Sequence, residues 1–403
     1  MKLAIVTAYP PSKVTLNEYA YHLVKSLRLK SDVTEIVLLT DRTSGEKDLN
    51  FEAAGCKITV KECWSFNSYW NIKNVTAAIN ETKPDNVLFN LQFMKFGDKK
   101  IAAALGLMLP LICKLKKIPT IVLLHNILEE VNLGSAGFTN SKLLTSLYGM
   151  IGTMLTKLIL QSDAVVVTME KYVTILEKKY KAQNVIHIPH GTFETVTKEP
   201  SYDIPTEPLR VMTFGKFGTY KKVESMIEAV ELVRERTKLD IEIVIAGTDN
   251  PNVPGYLKGV EHTYRAVKQL RFTGYVEEND VPEIFNESAV VVFPYTATTG
   301  SSGVLHQAGS YGKAVVMPDL GDLALLMQQE GYQGEFFEPT SVESLAASIE
   351  AILTNDAHRI SIAKANFKAA TSHPMSVIAR MYLKAFEKIN CIKKTTVCKL
   401  KGA

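Results

Sequence analysis

Apolar residues run along the chain in two rhythms. Short Val-, Ile- and Leu-rich runs at 3–7, 34–39, 86–89, 120–124 and 164–168 are apolar almost throughout. They predict strands buried on both faces, the pattern of a parallel sheet. Between them, 17–27 and 142–161 carry apolar residues at helical spacing, so the first half reads as a Rossmann-like β/α repeat. Polar connectors such as 41–47 fit its loops.

The periodicity fails around 194–210, where Pro200, Pro205 and Pro208 arrive with Lys198, Glu199, Asp203 and Glu207. A second series then opens with a strand at 209–214 and a helix at 223–237. Strands at 241–246, 270–272, 289–293 and 314–317 follow, with a helix near 341–353. The expected division is a first Rossmann-like domain over 1–195, a linker over 196–208 and a second Rossmann-like domain over 209–372. Residues 373–403 hold a C-terminal helix, extending from the second domain or crossing back over the first, and a basic tail.

A chain of 403 residues suits two such domains. Hydrophobic residues at 46% and charged residues at 22% exclude the polar bias of a disordered chain. The net charge of +4 argues against a dedicated nucleic-acid binder. Lys114, Lys116 and Lys117, and in the tail Lys393, Lys394, Lys399 and Lys401, form a solvated surface or exert a weak pull toward anionic lipid. Five cysteines without a C-x-x-C pair fit a reducing compartment and no zinc site. The opening apolar run, stopped by Pro10 and Pro11, is too short for a signal segment, so a cytoplasmic protein is expected. The apolar stretches 101–113 and 143–156 are too short to span a bilayer. They are buried helices, or half-buried helices resting on a membrane surface through their flanking lysines.

Ligands of a parallel sheet sit beyond the carboxyl ends of its strands, where helix N-termini offer free N–H groups. Three segments occupy such places. Phe214-Gly215-Lys216-Phe217-Gly218-Thr219-Tyr220-Lys221-Lys222 joins glycines, which permit close backbone approach, to lysines that meet phosphate. It lacks the Walker A spacing, and read alone it is a solvated loop or an anion site. Thr298-Thr299-Gly300-Ser301-Ser302-Gly303 opens a helix, as a diphosphate cradle or as an ordinary Ser-capped turn. One turn on, Gln307 offers an amide to a sugar or ribose hydroxyl. His125, followed by Asn126, Glu129 and Glu130, ends the strand at 120–124 as a structural or a catalytic histidine. No G-x-G-x-x-G follows the first strand, which argues against a hydride-transferring enzyme.

In this order the segments resemble glycosyltransferase family 4, over nearly the whole chain. Further support comes from Ser162-Asp163 before the run 164–168, Ile188-Pro189-His190-Gly191, Ala246-Gly247, Phe272-Thr273-Gly274-Tyr275-Val276 and Gly312-Lys313-Ala314-Val315-Val316. The resemblance implies an α/β protein of GT-B fold, with two Rossmann-like domains facing an interdomain cleft. It places Lys216 and Lys221 on the diphosphate of a nucleotide sugar. Tyr275 and Val276 then line the nucleobase or pack as an ordinary loop. The family usually has two glutamates eight positions apart, where this sequence has Thr299 and Gln307. Its glycine pair is replaced by Val14 and Thr15.

The implied activity is a metal-independent, retaining transfer of a hexose-type sugar from a nucleotide diphosphate sugar to a hydroxyl acceptor. That acceptor is a glycan, a lipid-linked saccharide or a small glycoside, as in polysaccharide biosynthesis. No cofactor is needed beyond the sugar donor. Lys216, Lys221 and the amides of Gly300, Ser301, Ser302 and Gly303 meet the leaving diphosphate, and His125 positions sugar or acceptor. With inversion, His125 or Glu129 becomes the general base. Lys13, Thr15, Asn126 and Glu129 lie on the acceptor side. The departures leave a second expectation, a catalytically silent subunit that binds nucleotide sugar or glycan. Peripheral membrane contact is the expected third partnership, and no nucleic acid is expected.

Overall fold

The computed structural model describes residues 1–130, 142–193, 198–203, 208–250, 253–297 and 301–401. By its contacts the chain divides into two compact units, Met1–His190 with Met375–Ala403, and Gly191–Pro374.

The first unit has seven strands: β1 (Lys2–Val6), β2 (Glu35–Asp41), β3 (Lys57–Trp64), β4 (Asn86–Leu91), β5 (Thr120–Leu124), β6 (Ala164–Val167) and β7 (Val185–His187). All pair in parallel, in the order β3-β2-β1-β4-β5-β6-β7. Its helices are α1 (Asn17–Leu27), α2 (Asn71–Thr82), α3 (Lys100–Leu107), α4 (Leu109–Leu115), α5 (Lys142–Ile159) and α6 (Glu170–Tyr180). The chain's last helix, α14 (Met375–Lys401), belongs here and packs on α1. Leu3, Ala4 and Ile5, with Ile36 to Leu39 and Ile121 to Leu124, have no exposed surface. A strand covered on both faces has no use for alternation, which is why the apolar runs were continuous.

The second unit has β8 (Leu209–Phe217), β9 (Ile241–Asp249), β10 (Leu270–Gly274), β11 (Val290–Val292), β12 (Ala314–Pro318) and β13 (Glu335–Phe337). These are also parallel, ordered β10-β9-β8-β11-β12-β13. Around them lie α7 (Glu224–Thr237), α8 (Tyr256–Thr263), α9 (Val281–Asn286), α10 (Gly303–Ser310), α11 (Gly321–Glu330), α12 (Val342–Thr354) and α13 (Asp356–Ser372). One core cluster joins α7 and α12 to the sheet through Ile227, Val230, Ile243, Ile245, Val292, Val316, Leu345 and Ile349. The Ser341 side chain caps α12 by accepting from the Ser344 amide at 3.2 Å.

Several expectations are corrected. The stretch 101–113 is two helices, because the chain turns at Met108 and Pro110, which has no N–H to give, sits in the first turn of α4. Neither α3 and α4 nor α5 is fully buried: Ile101, Leu115, Met150 and Met154 are 61–74% exposed. β8 runs three residues past its expected end, in register with β9 through Gly215↔Gly247, Lys216↔Thr248 and Phe217↔Asp249. α14 runs to Lys401, through most of the expected basic tail. Much of the expected linker, 196–197 and 204–207, lies outside the described residues.

Candidate functional sites

Each sheet reverses its strand order once, between β1 and β4 in the first unit and between β8 and β11 in the second. Such reversals open a crevice beyond the strand carboxyl ends. Of the residues singled out from the sequence, Lys216, Lys221, Ser301 and Ser302 lie at or beyond the ends of β8 and β11, and His125 meets the end of β4, whereas Tyr275 and Val276 follow the edge strand β10.

In the second unit, the segment after β8 folds back on the segment after β11. Lys221 bridges to Tyr295, the Lys222 amide donates to the Pro294 carbonyl at 3.0 Å, and the Thr296 amide donates to the Tyr220 carbonyl at 2.8 Å. The Lys221 ammonium lies 4.6 Å from the centre of the buried Tyr295 ring, a cation–π contact. Burial pushes this lysine's pKa down. It comes this close because Gly215, at φ +142, has no Cβ; one there would stand 2.8 Å from Lys221 Nζ. Gly247 is more constrained, at φ +138 with a Cβ position 1.9 Å from the Gly215 carbonyl oxygen. Lys216 is exposed at the end of β8.

Across the crevice, Ser301 and Ser302 lead into α10. Ser302 bonds the Tyr295 hydroxyl, so the two segments are tied together from below. Ser301 Oγ stands 2.9 Å from His306 Nε2. Gln307 is half-buried on α10. Tyr275, 65% exposed, and the half-buried Val276 follow β10, on the edge strand. Thr299 and Gly300 lie outside the described residues.

In the first unit, Asn90 at the end of β4 organises the crevice. Its Nδ2 donates to Thr7 Oγ1 at 3.0 Å and to the Leu16 carbonyl at 3.3 Å, while its Oδ1 faces His125 Nε2 at 2.7 Å. Thr7 spends its own proton on the Ala8 carbonyl, which is consistent with this amide orientation. His125 therefore carries its proton on Nε2 and keeps Nδ1 as the acceptor. Burial, with smaller contributions from His190 and Lys95, holds its pKa well below the usual histidine range. It is a neutral base or hydrogen-bond acceptor at neutral pH. Tyr19 stacks edge-on against both His125 and His190, at 4.7 and 4.9 Å between ring centres.

Val14 and Thr15, in place of the glycine pair, are not in left-handed conformations; the neighbouring Leu16 is, at φ 69. Leucine disfavours that region, and the surroundings hold it there. Lys95 Nζ bonds the Thr15 carbonyl at 2.7 Å, Asn90 bonds the Leu16 carbonyl, and Gln92 donates to Thr15 Oγ1. Lys95 is 1% exposed, and burial pushes its pKa down to about 7. Lys13 and Thr15 themselves are exposed, and Asn126 is half-buried. Glu129 Oε1, on the turn Leu128–Glu130, accepts from the Tyr180 hydroxyl and from Lys179 Nζ at 3.2 Å. Its other oxygen, Oε2, has no hydrogen-bond partner among the described residues.

Lys95 and His306 were missed in the sequence. The signal for Lys95 was a lone lysine among Phe93, Met94 and Phe96 just after a strand; His306 stood between two residues already singled out.

Among the described residues no three His, Cys, Asp or Glu side chains form a group able to hold a metal, and no helix is long and apolar enough to cross a membrane. The described cysteines Cys56, Cys63, Cys113 and Cys391 are free.

Residues 208–355, which include the whole second crevice, match the family model described as Glycosyl transferases group 1. No curated protein sequence matches the chain. Its fold is similar to sucrose-phosphate synthase from Thermosynechococcus elongatus, at 15% identity and a TM-score of 0.74 over 97% of this chain and 100% of that one. It is also similar to Anabaena HepE, solved with UDP and glucose, at 15% identity and a TM-score of 0.66 over 96% and 100%. A glycosyltransferase from Rickettsia africae is similar at 15% identity and a TM-score of 0.66 over 96% and 98%. The paired parallel sheets and these likenesses define a GT-B glycosyltransferase fold.

Proposed function

We propose that the protein transfers a hexose-type sugar from a nucleotide diphosphate sugar to a hydroxyl acceptor. One observation carries this reading. Within the segment matching the family, a half-buried lysine is held over Tyr295 at the strand-order reversal, packed against glycine backbone that lets its ammonium come close. A diphosphate in that crevice meets Lys221 and, at its rim, Lys216. As the sugar–oxygen bond breaks, negative charge builds on the leaving phosphate, and fixed cations and loop amides stabilise it there more than in the ground state. No metal or further cofactor is required by this reading. Gln307 hydrogen-bonds ribose, and Tyr275 and Val276 flank the base. HepE's bound UDP supports the nucleotide as ligand class.

Neutral His125 serves the acceptor side through Nδ1, positioning sugar or acceptor in a retaining, front-face transfer. Lys13, Thr15 and Asn126 border the same crevice of the first unit. The acceptor is proposed to be carried at a membrane surface or in a growing glycan. Exposed Ile101, Leu115, Met150 and Met154, with exposed Lys99, Lys114, Lys116, Lys117 and Lys157, lie on α3, α4, α5 and their flanks, helices that pack together. Failure to float with anionic liposomes at low salt would remove the membrane from this picture.

The test of the activity is calorimetric titration with UDP, GDP and ADP, followed by transfer assays with the corresponding labelled nucleotide sugars. Selective binding and a labelled glycan product are expected. Binding without transfer or hydrolysis across a broad panel would instead favour a silent binding subunit, the reading motivated by Thr299 and Gln307.

A further inference from the structure

Behind Ser301 and Ser302 lies a buried chain of polar groups reaching from the loop into the core of the second unit. His306, on the first turn of α10, is 2% exposed. Its Nε2 meets Ser301 Oγ at 2.9 Å, and its Nδ1 meets the Tyr332 hydroxyl at 2.9 Å and Glu330 Oε2 at 3.6 Å. Tyr332 in turn bonds the side chain of Thr192.

The protons in this chain can be assigned. Thr192 donates its hydroxyl proton to the Ala370 carbonyl at 2.6 Å, so toward Tyr332 it can only accept. His306 Nδ1 faces both the Tyr332 hydroxyl and the Glu330 carboxylate, an acceptor, so in the neutral ring the proton sits on Nδ1. A neutral His306 then presents a bare Nε2 to Ser301 and draws in the serine's hydroxyl proton. Ser301 is left with lone pairs facing its loop, the wrong polarity for a phosphate. One more proton, on Nε2, reverses this: Nε2–H donates to Ser301 Oγ, and the serine O–H turns outward as a donor.

The surroundings fit an imidazolium. Glu330 is almost fully buried, its second oxygen has no hydrogen-bond partner among the described residues, and burial pushes its carboxyl up to about 7. A cation at His306 supplies the counter-charge it lacks. Among the described residues, Ser301, Tyr332 and Thr192 also face this turn, with neutral Asn366 and Ala370 of α13 against Gly309.

We propose that binding of a nucleoside diphosphate at Ser301–Gly303 is coupled to uptake of one proton at His306 Nε2, which turns the Ser301 hydroxyl toward the anion. This rests on the reading of that loop as the diphosphate site. His306 is a positioning residue, acting through Ser301. By linkage, the bound anion favours the imidazolium as much as the imidazolium favours the anion.

Calorimetry of the whole chain with UDP and with inorganic pyrophosphate, in buffers of low and high ionisation enthalpy between pH 6 and 9, tests the coupling. Wild type should take up close to one proton more than His306→Gln, and its affinity should fall about tenfold per pH unit on the alkaline side relative to that variant. The ligand's own titration is common to both proteins and cancels. Glu330→Gln should move the alkaline fall to lower pH, and it stands in as the test should His306→Gln fail to fold. Equal proton uptake in wild type and His306→Gln, or an unmoved fall in Glu330→Gln, overturns the coupling while leaving the diphosphate site in place. No binding of either ligand by folded wild type overturns both.

Discussion

The two strand-order reversals are alike in topology and opposite in how they use hydrogen bonds. In the first unit, Asn90, Lys95, Gln92 and His125 turn inward. Asn90 holds Thr7 and the Leu16 carbonyl, Lys95 the Thr15 carbonyl and Gln92 the Thr15 hydroxyl, in a loop whose leucine sits in a disfavoured conformation, while His125 bonds Asn90. In the second unit, glycine backbone and a lysine stand at the crevice with the polar ties placed underneath, in Ser302–Tyr295 and Ser301–His306. The first arrangement builds a rigid wall with one neutral acceptor, His125 Nδ1. The second leaves the Lys221 ammonium over the Tyr295 ring and Lys216 exposed beside it. The same fold supports either, because strand ends set only where a site opens and side chains set its polarity.

The contrast breaks most sharply at Lys221. Lys221→Ala should slow sugar transfer by about 2–4 kcal/mol in activation free energy, with the larger part in kcat, if its charge acts on the leaving group. Unchanged turnover would remove it from the mechanism. Gly247→Ala tests the glycine backbone, because its Cβ would collide with the Gly215 carbonyl at a φ that alanine avoids. A stability loss of about 2 kcal/mol or more is expected in denaturant melts. Gly255→Ala, at φ +83 with open space around the Cβ, should cost only about 1 kcal/mol.

The inward-turned first unit should reveal itself in pH dependence. His125 has a depressed pKa, so below about 6.5 the unfolded chain binds a proton that the native state refuses, and stability falls with pH. His125→Gln should remove a slope of roughly 1.4 kcal/mol per pH unit on that acid side. For Lys95 the same sign applies in a different window. Native stability rises from about pH 7, where the buried amine loses its proton, to the ordinary lysine range, and Lys95→Met should flatten that rise. Equal slopes in variant and wild type would mean that these groups are solvated. Ser341→Ala, at the α12 cap and outside both crevices, gives the smallest effect: about 1 kcal/mol of stability with turnover unchanged.

Much of the fold was legible in the chain because buried parallel strands are continuous apolar runs. β1, β4, β5, β8 and β12 are anticipated within a few residues, and α1 matches at both ends. β3 escaped because an edge strand half open to water carries Lys57, Lys61 and Glu62 and breaks that pattern. β7 and β13 are three residues each, too short for any period to register. Of the candidate site, Lys221 and His125 could be singled out because each lies just after a strand, and Gly215 because it sits in the last residues of one. Asn90 could not, since a polar residue inside a buried strand gives no sign of which loop it will hold.

Local pattern thus determined the alternation of strands and helices, the two sheets and the loops where chemistry gathers, because burial period and turn residues act within a few positions of one another. Tertiary structure alone decided which groups meet: Lys95 under Thr15, His306 against Glu330 and Tyr332, and α14 on α1. Those pairs are far apart in sequence or depend on how one turn is aimed. Burial and proximity, which set a residue's charge state and its partners, exist only after the chain has closed on itself.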